Sequence, residues 1–192
     1  MPDLEERLQA GRWQERLKAA QELEDTGDKD LISRLIRERL TDRSCRLRTK
    51  AVEIIGRTEG ASAIPVYMEA LNDLDDEVRW MAARVLAGLG ETALPALVKG
   101  LREGGEKIFN IAWVLEKIEN NDPGSIDLND IKEAFIDATK NGNATESESA
   151  YVYRNIVNAV SLMKVKIDMP GELLRPRSKP PKLFRKRRIG HA

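Results

Sequence analysis

Lysine and arginine are the only chemically versatile side chains that this chain concentrates. The last eighteen residues, Arg175 to Ala192, carry eight of them and no Asp or Glu: Arg175, Arg177, Lys179, Lys182, Arg185, Lys186, Arg187 and Arg188. A second group, Arg43, Arg46, Arg48 and Lys50, clusters around an expected helix-to-helix turn. Guanidinium groups grip phosphate oxygens bidentately, the prolines of the tail oppose its collapse into a helix, and Phe184 is placed to stack on an unpaired base. The chemistry implied is the binding of a polyanion. With about six tail charges on phosphates, log affinity falls with log salt at a slope of roughly −4 to −5. Three other uses fit the same tail: a nuclear-localisation signal, a contact with an acidic membrane, and a latch on the chain's own acidic body. The Arg43–Lys50 group also fits a solvated face paired with local glutamates.

Catalytic chemistry has no comparable support. The single histidine, His191, adjoins the carboxyl end, where nothing holds it in catalytic geometry. The single cysteine, Cys45, reads as an ordinary small helix residue, excludes an internal disulfide and suits a reducing compartment. There is no glycine-rich phosphate loop, no histidine pair and no Ser/His/Asp set, so no catalytic residue, metal site or cofactor is expected. Asn120 to Asp130 is rich in oxygen donors but lacks the spacing of a calcium loop. Asn143-Ala144-Thr145 matches a glycosylation acceptor by chance, since no secretory signal opens the chain.

The elements that position these charges are helices. Val78, Met81, Ala82, Val85, Leu86 and Leu89 form one apolar stripe at helical spacing, with Asp75 or Asp76 available to cap its start and Gly90 to stop it. Pro95 then opens a second helix bearing Leu94, Leu97, Val98 and Leu101. Leu47, Ala51, Val52, Ile54 and Ile55 repeat the first pattern 31 residues earlier, and Ile64-Pro65 repeats Leu94-Pro95 at a spacing of 30. A weaker copy comes before, with Trp13, Leu17, Ala20 and Leu23, then Leu31, Leu35, Ile36 and Leu40. Another follows, with Ile108, Ala112, Leu115 and Ile118, then Ile126, Ile131, Ala134, Phe135 and Ala138. Tyr151, Ile156, Val157, Val160 and Leu162 suggest a last helix. Long loops are expected at 120–125 and 140–149.

Asp76, Val78, Arg79, Ala82, Ala83, Leu86 and Gly90 closely resemble the HEAT-like repeat, in particular the short variety also found in phycobilisome lyases. Residues 44 to 74 keep Leu47-Arg48 and Ala51 but have Ser44 in place of the Asp, with Gly60 arriving late. The resemblance covers roughly residues 12 to 140. It implies an all-α fold, an α-solenoid of about four or five stacked antiparallel helix pairs, with Asp76 and Arg79 in a polar ladder between repeats. It also raises the possibility of a lyase or maturation factor acting on a modified protein, although no pigment pocket is apparent.

Composition agrees. One third of the residues are charged and 5% are aromatic, a balance suited to exposed helices and poorly suited to a β-sandwich. The net charge is zero, yet removing the tail leaves 24 basic against 32 acidic residues in 1–174. Residues 34–57 hold eight basic and three acidic side chains, and residues 119–148 hold two basic and eight acidic ones. The expected organisation is a solenoid over 1–163, a linker over 164–174 and an extended basic tail over 175–192. The function expected is a noncatalytic, cytoplasmic scaffold that binds structured RNA or a ribosomal particle through the tail and a protein on the solenoid surface. The alternative is a protein-protein adaptor whose tail is a localisation signal or latch. No membrane span is expected, because no run of 18 apolar residues occurs.

Overall fold

The computed structural model describes residues 3–161, apart from 106 and 123. Among these the elements are helices: α1 (Leu4–Leu8), α2 (Trp13–Asp25), α3 (Lys29–Arg37), α4 (Cys45–Thr58), α5 (Ile64–Ala70), α6 (Asp76–Gly88), α7 (Leu94–Glu103), α8 (Lys107–Asn121), α9 (Leu128–Lys140) and α10 (Glu146–Ser161). After α1, which lies on α2, the helices alternate between two layers. α2, α4, α6, α8 and α10 pack side by side in one layer, while α5, α7 and α9 form a row in the other. Each second helix also rests on the first helix of the next pair, as α5 does on α6 and α7 on α8. No apolar face closes on itself, so the stack is what removes it from water.

The periodic stripes supply this core. Val78, Ala82, Ala83 and Leu86 of α6 are buried, as are their counterparts Leu47, Ala51, Val52 and Ile55 of α4 and, 29 residues after the α6 set, Ile111, Ala112 and Leu115 of α8. Within each described pair formed by α4 and α5 or α6 and α7, a 3-10 turn joins the helices, opened by Gly60 or Gly90. Both glycines sit in the left-handed region, at φ 54° and 57°, so Gly60 is not late but structurally equivalent to Gly90. Ile64-Pro65 and Leu94-Pro95 then start α5 and α7 with proline in the first turn, where its missing N–H costs nothing.

Three local expectations change. Asp75 does precede α6, but its side chain caps no amide of that helix and instead accepts a hydrogen bond from Arg48. α8 continues through Asn120 and Asn121, because Glu119 at its end is buried and accepts hydrogen bonds from the backbone amides of Gly124 (2.8 Å) and Ile126 (3.3 Å), folding the following loop back onto the helix. The connection expected over 140–149 shrinks to 141–145, and α10 begins at Glu146. On α10 it is Val152, Tyr153 and Ile156 that are buried, whereas Tyr151 is exposed. Val160 lies among residues whose side chains are not described, and Leu162 lies outside the described residues. Because the buried Glu119 satisfies two amides, Glu119→Ala is expected to lower stability by about 2 kcal/mol, measured by urea denaturation.

Candidate interaction surface

Arginines bind the repeats together along the edge where successive pairs meet. Arg16 of α2 makes a bidentate pair with Asp42, at 2.7 and 2.8 Å, and also donates to the carbonyls of Ala10 and Gly11. Both side chains of the pair are only 7% exposed. One repeat later, Arg48 of α4 makes the same bidentate pair with Asp73, donates to the carbonyl of Asp42 and adds a bond to Asp75. Arg79 of α6 stands 31 residues after Arg48 and donates to the Asp73 carbonyl. Its carboxylate partner, however, is Asp76 within its own helix. The position 31 residues after Asp73 is Gly104, which has no side chain to offer. The ladder between repeats is thus Arg16–Asp42 and Arg48–Asp73, and the expected Asp76 rung is an intrahelical pair. Burial pushes the Asp42 carboxyl up, but Arg16 and the Ser44 amide outweigh it and hold the group below the usual carboxylate range. Asp73 behaves alike: burial raises it, and Arg48 with the Asp75 amide brings it down further.

Geometry divides the basic group expected around the α3–α4 turn. Arg48 is an element of the ladder. Lys50 bridges Glu24 at 2.8 Å and Glu53 at 3.2 Å, and Arg57 joins the same carboxylates. Arg46 is exposed and lies over the ring of Trp13, 4.9 Å from its centroid. Arg43 occupies the exposed tip of the connecting loop, between the pinned Asp42 and Ser44. The structure therefore brings Arg43 and Arg46 to the surface and holds Arg48 and Lys50 on carboxylates of the solenoid. Arg175, Arg177, Lys179, Lys182, Phe184, Arg185, Lys186, Arg187 and Arg188 lie outside the described residues.

A surface that charge counting does not reveal runs across the solvent side of the first-helix layer. On α4 this side is polar, closed by the network of Lys50, Glu53, Arg57 and Glu24. On α6 and α8 it becomes aromatic. Trp80 and Phe109 occupy equivalent positions 29 residues apart, as do Arg84 and Trp113. Trp80 is 51% exposed with Arg84 over its ring at 5.0 Å, and Lys117 lies 5.4 Å from the Trp113 ring. Phe109 reaches the exposed Tyr151 of α10, with ring centroids 6.2 Å apart. Three adjacent helices thus present rigid aromatic rings edged by cations. Such side chains form large contacts at small entropic cost and are enriched in protein interfaces. The signal for this stripe was in the sequence, as aromatic residues at repeat-equivalent positions outside the core stripe.

Among the described residues no group of His, Cys, Asp and Glu is arranged to hold a metal ion, and no helix is long and apolar enough to cross a membrane. Asn143, of the glycosylation-like triplet, works structurally: its carbonyl accepts from the Gly105 amide and its side chain donates to the Arg102 carbonyl.

Stacked antiparallel helix pairs in two layers, joined by a repeating Arg–Asp ladder, define an α-solenoid. The family of HEAT repeats matches residues 34–116, from α3 into α8, and the chain is a HEAT-like repeat protein. No curated protein matches it. HEAT repeats are built as scaffolds for protein interaction, and the layer carrying the aromatic stripe is part of that architecture.

Proposed function

We propose that this protein is a noncatalytic scaffold that engages a protein partner through the aromatic stripe of α6, α8 and α10. The observation that carries this reading is Trp80, a large ring half exposed on a rigid helix and flanked by Arg84, at a surface that α4 keeps polar. Trp and Arg are the residue types whose truncation most often costs an interface 2 kcal/mol or more. Affinity capture with the full-length protein, followed by binding measurements on the protein recovered, tests it. Trp80→Ala is expected to weaken that complex at least 30-fold with the unfolding free energy unchanged within about 0.5 kcal/mol. Undiminished binding by a folded Trp80→Ala, Trp113→Ala double variant overturns the reading.

A second reading, cytoplasmic attachment to structured RNA such as a ribosomal particle, rests on the acid-free tail and on Arg43 and Arg46, which make no ion pair among the described residues. The two are compatible: the tail tethers, and the solenoid displays. Filter binding to ribosomal RNA at two salt concentrations is expected to give a log–log salt slope of roughly −4 to −5 or steeper for the full chain and a much weaker, shallower salt dependence for a 1–174 truncation, which keeps only Arg43 and Arg46. Equal, salt-insensitive binding by both removes RNA from the account and leaves the tail as a localisation signal or latch.

A further inference from the structure

Charge is graded along the helices of the aromatic stripe. On α6 the solvent side carries Glu77, Trp80 and Arg84, at i, i+3 and i+7, and on α8 it carries Phe109, Trp113 and Lys117, at i, i+4 and i+8. These are the spacings of one helix face, so the two adjacent helices set their outer residues in neighbouring columns. Each column ends in a cation, and that of α6 begins with a carboxylate. Glu77 and Arg84 are exposed, and neither makes an ion pair or a side-chain hydrogen bond among the described residues. Trp80 stands half exposed between them, while Phe109 and Trp113 pack partly against the core. The carboxylate on Lys117 is that of its own neighbour, Glu116, at 3.7 Å.

α4 treats the same positions differently. Thr49 and Glu53 stand 31 residues before Trp80 and Arg84, and Glu53 is neutralised within the solenoid by Lys50 and Arg57. On α6 the opposite charges are kept apart, seven residues or about 10 Å along one face, too far to pair with each other. The site lies wholly within the described residues, unlike the linker expected over 164–174 and the tail that follows it, which lie outside them.

We infer that the partner docks an amphipathic helix along α6 and α8, with an apolar pair at i+3 and i+4 seated on Trp80 and Trp113 and side chains of opposite charge at i and i+7 meeting Glu77 and Arg84. The inference rests on the stripe being a protein interface. A helix repeats its face every seven residues, a rise of about 10 Å, which is the separation of Glu77 and Arg84 along α6, so a helix laid parallel to α6 meets both charges in one register. An extended strand covers that distance in about three residues and puts the two charges on opposite faces. Arg84 suits a carboxylate: lying over the Trp80 ring restricts its motion and leaves its N–H donors unspent, so little further freedom is lost as the ion pair forms. A phosphate backbone fits less well, because Glu77 and Glu116 border the rings and repel it.

Fluorescence anisotropy on the full-length protein, with labelled helical peptides about eighteen residues long, tests the inference. Each peptide carries a Leu-Leu pair, and they differ in the residues at i and i+7 that bracket it: Lys with Glu, Glu with Glu, or Lys with Lys. The mixed peptide is expected to bind about ten-fold more tightly than either of the others. Arg84→Glu, which leaves the circular dichroism unchanged, is expected to transfer the preference to the Lys with Lys peptide. Equal affinity for the three, no binding by any, or a preference that Arg84→Glu does not move overturns the inference. So does tighter binding of a labelled single-stranded RNA that Trp80→Ala abolishes, which assigns the rings to bases, or dimerisation in sedimentation runs that Trp80→Ala abolishes, which assigns them to a second copy. If the peptides fail while the captured protein still depends on Trp80, the stripe remains a protein interface and only the helix is removed. A captured protein indifferent to Trp80 and Trp113 removes both.

Discussion

Arg48→Met lowers the unfolding free energy by about 3 kcal/mol at pH 7, because it strands the Asp73 carboxylate and removes the bonds to Asp75 and the Asp42 carbonyl at once. The measurement is the shift of the denaturant midpoint at unchanged slope. Acid sharpens the test. Asp73 has a folded-state pKa below its ordinary value, so its contribution is complete above the unfolded pKa of about 3.9 and is lost as pH falls through the lower, folded value. In Arg48→Met that contribution is already absent and the stranded carboxylate gains from protonation. The gap between the two proteins therefore narrows from pH 7 towards pH 3. A gap that stays constant or widens contradicts the ladder. This result also separates structure from binding: if Arg48 served an RNA phosphate and nothing else, its removal would leave stability unchanged.

Gly104→Ala costs about 3 kcal/mol or more. Gly104 ends α7 at φ 69° and ψ −152°, a conformation that only glycine adopts without strain, and a Cβ there would lie 2.1 Å from the carbonyl oxygen of Asn143. That oxygen is fixed by the Gly105 amide, and the Asn143 side chain is fixed on the Arg102 carbonyl, so the loop before α10 cannot yield cheaply. Gly104→Asp is the informative companion. It places a carboxylate at the next ladder position, opposite Arg79, and is still expected to destabilise, since the backbone clash outweighs a part-exposed ion pair. A Gly104→Asp protein as stable as the parent would show that the loop is soft and that the ladder was interrupted for another reason.

Most of the fold was legible because the core is periodic. Val78, Ala82 and Leu86, with their counterparts in α4 and α8, sit on one side of each helix, and Pro65, Pro95, Gly60 and Gly90 mark helix boundaries by chemistry that acts locally. Long-range pairings were not legible. Asp73 and Asp75 precede α6 and look like caps, yet they serve an arginine 25 and 27 residues earlier, a relation that periodicity of apolar residues does not encode. Glu119 was hidden for the same reason, being one acidic residue among many until the chain turns its amides towards it. The surface was the hardest to read. Counting charges put weight on Arg48 and Lys50, which are held by carboxylates distant in sequence, Asp73 and Glu24, and passed over Trp80, whose significance comes from what does not cover it.

The ladder also decides where this molecule can grow. Residues 44–74 contain both Arg48 and the Asp73 that it holds, so a duplicated copy of that unit brings its own bidentate pair, and its arginine can again donate to a carbonyl at the end of the unit before it. Copies of it can be spliced after residue 74 without redesign, giving longer solenoids of the same pitch. A duplicate of 105–144 carries neither group in register, and Gly104 admits no replacement. The chain thus has an extensible front and a closed back, and the aromatic stripe begins where extension stops.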